Sequence, residues 1–382
     1  MNILITGARA PISLDIAKTL ASTGHRVWMS DSLLFPIGAA SPHIQGYVRT
    51  PPPRQAFNAF THALQQACAR NYIDLIIPTS EEVFWLALAK ARELITTRVF
   101  APPLAKLLAL HDKWLFAQTA TELGYGAGEN RLLTSREAVE ALEEDVDWVL
   151  KPVFSRFAAR TLISPTPKAL RRVTPTSQDP WLAQERAHGP EYCTYNIAED
   201  GELLLHVAYR PKWRAGKGAS VYFEPYADAR LREMAAALAA RQRLSGQFSL
   251  DAIDTGDRLV ALECNPRGTS GVHLAAQFPT AFSDALLGQG KAPELQPHPA
   301  MLGLPLKLFN PLRAIGGALK ADLARARECV NEAGVGLMPS IAATVEMFAR
   351  AALHGTGVLA ATTRDIEWNH SSSTQDTERR RV

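Results

Sequence analysis

The first hundred residues alternate between two textures. "NILIT" reads as a buried strand, "ISLDIAKTLASTG" as a helix closed by Gly24, and "RVWMSD" as a second strand. "AFNAFTHALQQACARN" follows as a longer helix, and "DLIIPTS" as another strand running into the loop "SEE". Strands separated by helices of this length leave few folds open. Parallel strands need long crossovers, and helices covering both faces give a doubly wound α/β sheet over residues 1–105. The first turn, "TGARAPISL", invites a dinucleotide reading. It lacks the second and third glycines of GxGxxG and carries Arg9 and Pro11 instead, which weakens an NAD(P)-dependent oxidoreductase reading.

At 382 residues the chain exceeds one ordinary core, and two or three domains are expected. A net charge of +3 is close to neutral for this size, so no nucleic-acid partner is implied. Cys68, Cys193, Cys264 and Cys329 form no CxxC pair and no zinc-spaced cluster. A reduced, cytoplasmic compartment is expected, with Cys193 and Cys264 as buried small residues. "MNILITGARA" has no basic leader, and no transmembrane segment is expected. The most apolar stretch, "AMLGLPLKLFNPLRAIGGAL", is broken by Lys307, Arg313 and two prolines, and reads as a buried or interfacial helix pair.

Downstream, "DKWLFAQTATELG" reads as a helix capped by Asp112, and "WVLKP" as a strand ending in Lys151. "WLAQERAHGPEYCTYNIAEDGELLLHVAYRPKW" holds three strand-like runs with a turn at Asp200-Gly201. "GQFSLDAIDTGDRLVALECNPR" is a hairpin turning at "DTGD". Its second run ends with Glu263, Asn265 and Arg267 at i, i+2 and i+4, which share one face of a strand. A carboxylate and a carboxamide oxygen are hard ligands suited to Mg²⁺ beside phosphates, and an arginine neutralises the anion such a metal holds. The plain alternative is a polar strand end running into a loop.

The other polar groups fall in an order that favours the first reading. Lys113 follows a capping aspartate, Lys151 ends a strand, "QERAHGPEY" comes next, and Asp251 lies twelve residues before Glu263 across the hairpin. A nucleoside triphosphate needs cations for its phosphates, backbone groups for its base, a carboxylate for its ribose and metal-holding carboxylates near the γ-phosphate.

In this order and spacing the chain resembles the ATP-grasp superfamily, the carboxylate–amine ligases related to D-alanine–D-alanine ligase and the carbamoyl-phosphate synthetase large chain. The resemblance covers about residues 1–285, including "DLIIPTSEEV", which is similar to the segment preceding many ATP-grasp modules. It implies an N-terminal pre-ATP-grasp domain (1–105) and an ATP-grasp module of two α+β subdomains (106–287) with a lid over about residues 125–183. A helical C-terminal extension (288–370) and a disordered tail (371–382) complete the layout.

The resemblance also implies roles. Lys113 and Lys151 would bind the α- and β-phosphates. Gln184, Glu185 and Ala187 would meet adenine, and Glu191 the ribose. Asp251, Glu263 and Asn265 would hold one or two Mg²⁺ ions, with Mn²⁺ as a substitute, and Arg267 would face the γ-phosphate. The implied enzyme is an ATP-dependent carbon–nitrogen ligase joining a small-molecule carboxylate to an amine, and a homodimer is allowed. The alternative is a nucleotide-binding regulatory or scaffold protein with little turnover.

One departure stands out. Family members usually cover the phosphates with a glycine-rich loop, whereas "KPVFSRFAAR" has no glycine. Ser155, Arg156 and Arg160 are expected to supply side-chain donors instead, both arginines unordered until nucleotide binds. A second basic loop, "YRPKWRAGKGAS", offers Arg210, Lys212 and Lys217 to the reaction centre, or is a solvated hairpin tip. His273 could touch substrate or be satisfied locally at a helix start, and His111 reads as a loop residue.

Overall fold

A computed structural model describes residues 1–156, 160–215, 219–309 and 317–368; Lys217 and the expected disordered tail lie outside these ranges. The described residues form three sheets. The first is parallel, with β1 (Asn2–Thr6), β2 (Arg26–Asp31), β3 (Gly46–Arg49), β4 (Leu75–Pro78) and β5 (Arg98–Val99) in the order β3-β2-β1-β4-β5. Its crossovers include α1 (Ile12–Ser22), α2 (Phe57–Asn71) and α3 (Glu82–Ala91). Alternation along β1 splits its side chains between two cores. Ile3 and Ile5 pack toward Tyr195 and Phe282, while Leu4 packs with Trp28, Phe60 and Trp85. In the first turn Gly7 has φ +74°, and a Cβ there would stand 2.4 Å from Thr79 Oγ1, so only glycine fits.

Two further helices, α4 (Leu104–His111) and α5 (Lys113–Glu122), lead out of this layer. Asp112 caps α5 by accepting from the N–H groups of Trp114 and Leu115. The second sheet has four strands, β6 (Asn130–Leu133), β7 (Trp148–Pro152), β8 (Leu162–Ile163) and β9 (Trp181–Glu185), ordered β6-β9-β7-β8. The third is built on β10 (Glu191–Glu199), β11 (Glu202–Ala215), β12 (Ala219–Pro225), β13 (Gly246–Asp254) and β14 (Leu259–Asn265). It is antiparallel through these five. Two short strands from the C-terminal region, β15 (Ala300–Met301) and β16 (Arg327–Glu328), extend its edge, giving the order β14-β13-β10-β11-β12-β15-β16. The C-terminal region is therefore not helical alone, because edge strand β12 offers β15 unpaired backbone groups.

Two buried polar clusters tie the C-terminal region to the parallel sheet. Asp15 of α1 accepts from Arg327 and lies 2.7 Å from His273 Nδ1. His273 thus begins its helix as expected, but its partner stands 258 residues away rather than nearby. In the second cluster Arg9 lies 2.5 Å from both Asp31 and Asp365. Trp368 packs edge-on to Trp85 at 4.7 Å, and Trp85 Nε1 donates to the Ile366 carbonyl. All four cysteines are buried and free. No described helix is long and apolar enough to cross a membrane.

Candidate active site

A cleft of about 650 Å³ lies between the four-stranded sheet and the large sheet. Lys113, Lys151, Ser155, Arg156, Gln184, Glu185, Ala187, Glu191, Asp251, Glu263, Asn265 and Arg267 all line it. Residues 42 to 111 positions apart are brought together, as the contacts of Lys113 and Lys151 show.

The hairpin β13–β14 sets the metal-type face. Asp251 and Glu263 are direct cross-strand partners, with a register irregularity just after Asp251. Burial and the charge of Glu263 push the Asp251 carboxyl up to about 7. Burial also opposes the charge of Glu263, but Lys113 and Lys151 outweigh it and hold Glu263 down to about 2. Two opposed carboxylates, one ionised and one raised by the other, are a donor set whose repulsion a divalent cation relieves. Asn265 stands beside them, its Nδ2 3.4 Å from Glu263 Oε1 and its Oδ1 3.3 Å from Arg267 Nη2. The set therefore fits Mg²⁺ by the chemistry of its oxygens.

The two lysines form the facing wall. Lys113 Nζ stands 3.3 Å from Glu263 Oε2 and donates to the Ser155 carbonyl at 2.9 Å. Lys151 Nζ donates to Gln184 Oε1 at 3.1 Å and to the Leu262 carbonyl at 3.0 Å. Burial pulls the Lys151 ammonium down to about 8 against the attraction of Glu263. At the far end Gln184, Glu185 and Ala187 run out of β9. Glu185 turns its carboxylate onto the N–H of Glu129, and Glu191 pairs with Arg214 at 2.7 Å. Gly189, φ +152°, closes this corner where a Cβ would meet the Asp254 carbonyl at 1.8 Å.

Arg210 and Lys212 are not among the residues that line the cleft. Strand alternation explains this: Tyr209 and Pro211 of β11 face the cleft, so Arg210 and Lys212 point the other way. Lys212 pairs with Asp322 at 2.9 Å, and Arg210 lies over the Tyr192 ring. Register shifts on either side of Trp213 then reverse the phase and bring Arg214 into the cleft. Arg214 carries no sequence signal of its own.

From the glycine-free loop Ser155 and Arg156 line the cleft, and Arg160 is not among its lining residues. Arg156 donates at 2.7 Å both to Glu81 and to the Trp368 carbonyl, and Arg160 pairs with Asp179 and lies over Trp181. Each of these arginines thus has protein partners, those of Arg156 from distant segments of the chain. Glu81, from the "SEE" loop, is the residue sequence reasoning missed. It is 1% exposed and joins Arg156 to Arg267, whose Nε lies 3.2 Å away. Despite burial, Arg156, His111 and Arg267 hold its carboxyl well below the usual range. His111 is a cleft-lining residue at the end of α4, kept neutral by burial.

The fold recurs in solved structures. An L-amino acid ligase from Bacillus licheniformis superposes with TM-score 0.57 at 16% identity, over 78% of each chain. N5-carboxyaminoimidazole synthetase from Staphylococcus aureus complexed with ADP gives 0.60 at 15% identity, over 81% of this chain and 84% of that one. The biotin carboxylase domain dimer of the Hydrogenobacter thermophilus 2-oxoglutarate carboxylase, complexed with MgADP, ADP and bicarbonate, gives 0.59 at 13%, over 77% and 71%. The chain has the ATP-grasp fold. No protein-family model and no curated protein matches the chain by sequence.

Proposed function

We propose that the protein is an ATP-dependent ligase that activates a carboxylate as an acyl phosphate and joins it to an amine, releasing ADP and phosphate. The observation that carries this reading is the cross-strand pair Asp251–Glu263 facing Lys113 and Lys151 within one cleft. The solved neighbours add support, being ligases and carboxylases that include ADP and MgADP complexes.

In this reading Lys113 and Lys151 hold the α- and β-phosphates, and β9 with Gln184, Glu185 and Ala187 receives the base. Glu191 takes the ribose hydroxyls. Asp251, Glu263 and Asn265 would hold Mg²⁺, which supplies charge neutralisation at the phosphates. Arg267, kept in place by Glu81, faces the γ-phosphoryl group. A substrate carboxylate oxygen attacks the γ-phosphorus, ADP leaves, and the amine nitrogen then attacks the acyl carbon and expels phosphate. Residues 125–183 close over the cleft and keep water from the acyl phosphate.

The test is product analysis. ADP and phosphate should form only when carboxylate, amine and Mg²⁺ are all present, with the amide detected by mass. AMP and pyrophosphate as products, or tight nucleotide binding without turnover across a broad acid and amine panel, would reject the ligase reading.

A further inference from the structure

The helix Leu337–His354 is turned inside out relative to an ordinary surface helix. Its charged residues face the protein. Glu346 accepts from the N–H groups of Leu34 and Phe35 at 3.0 and 2.7 Å, and Arg350 pairs with Asp365 at 2.9 Å. Its outward face is apolar: Leu337, Met338, Ile341, Val345, Phe348 and Leu353 are between 41% and 79% exposed. At about 100° per residue they fall on one arc roughly 160° wide, filled in only by alanines. Leu34 and Phe35, 55% and 58% exposed, adjoin this arc beside Glu346.

We propose that this face is a self-association surface on which two copies of the chain pack their Leu337–His354 helices antiparallel about a twofold axis. Met338, Ile341, Val345, Phe348 and Ala352 repeat at spacings of three and four, the seam that packs against another helix. Eight large side chains exposing on the order of 100 Å² each give ~800 Å² per copy, the size of a standard interface. An uncharged arc meets its own copy without burying a charge, and Ala349 and Ala352 let the backbones approach.

The chain's own remaining residues do not suit the arc. Residues 369–382 contain one apolar side chain, Val382, residues 310–316 bring only Leu312 and Ile315 as large apolar groups, 157–159 only Phe157, and 216–218 none, too few to cover eight exposed side chains. A lipid surface is the poorer match, because interfacial helices carry Lys and Arg on the polar face. Here the only Arg and the only Glu of the helix are both engaged by its own protein.

The experiment is light scattering of the full chain after size exclusion, over a wide concentration range. The expected mass is twice the chain mass of 41.7 kDa, falling to one chain in the Ile341→Glu/Val345→Glu variant, whose circular dichroism stays that of the native fold and whose melting temperature no longer rises with protein concentration. Val345→Cys, near the centre of the seam, should form an intermolecular disulfide under mild oxidation, whereas Cys at exposed Lys320 should not. A wild-type chain that stays monomeric, or a double-Glu variant that stays dimeric, overturns the proposal. So does a monomer that sediments with anionic phosphatidylserine vesicles and loses this on the same substitutions, which would assign the face to lipid.

Discussion

Glu263 has Lys113 at 3.3 Å on one side and the like-charged Asp251 across the hairpin on the other, so its charge is central to the proposed site. Glu263→Gln keeps the shape and removes the charge. Turnover should fall by about two decades or more, the usual cost of losing a preorganised electrostatic partner, with the melting temperature little changed. Steady-state ADP release and a thermal melt check both halves. Lys151→Ala removes one charge-assisted contact, so nucleotide affinity by calorimetry should weaken by roughly one to two decades. An unchanged affinity would remove Lys151 from the phosphate site. At this scale the hairpin was legible, because "DTGD" fixes the turn and period-two alternation then sets which residues face each other. Glu81 was not. Its partners lie 75 and 186 residues away, and nothing in "TSEEV" distinguishes Glu81 from Glu82.

Among the elements, β11 shows where alternation stops being a reliable guide. Its two register shifts place Arg214 in the cleft and leave Arg210 outside, although both lie in the same basic run. Arg214→Ala should therefore raise the apparent KM for nucleotide or acid by about tenfold or more, equivalent to ~1.4 kcal/mol. Arg210→Ala should stay within about threefold. Equal effects would mean that the bulges do not set the phase in solution. Strands β1, β2 and β4 and helices α1 and α2 were readable because burial on both faces writes continuous apolar runs, whereas half-buried β3, two-residue β5 and helix α3 went unread. Bulges leave no such mark. Strands as short as β15 and β16, two residues each, fall below the length at which a pattern exists.

For the whole molecule, two buried histidines set opposite slopes of stability against pH. Burial, with nearby Arg156 and Lys113, lowers His111 to about 3 against the pull of Glu81. Below about pH 6.5 the unfolded chain takes up a proton that the native chain refuses, so stability falls by up to about 1.4 kcal/mol per pH unit. His273 behaves in reverse. Burial opposes its charge, but Cys329 and Asp15 outweigh this and raise it to about 10. Its contribution is complete below about pH 6.5 and is lost as pH rises from there to about 10. Urea unfolding at several pH values should show each histidine's share as a difference from its own variant, because Asp251 and Lys151 titrate with opposite sign over overlapping ranges. His111→Gln should flatten the acid limb and His273→Gln the alkaline one. The union of Trp85 with Ile366, 281 residues further along the chain, has a consequence for synthesis. At about 5–20 residues per second, the ribosome needs roughly 15–55 s between making the two. Through that interval the core around Trp85 lacks the Trp368 ring that packs on it, and Arg9 lacks Asp365. A nascent chain of this design stays open on one flank of its first domain, within reach of chaperones, until the residues around Asp365 emerge.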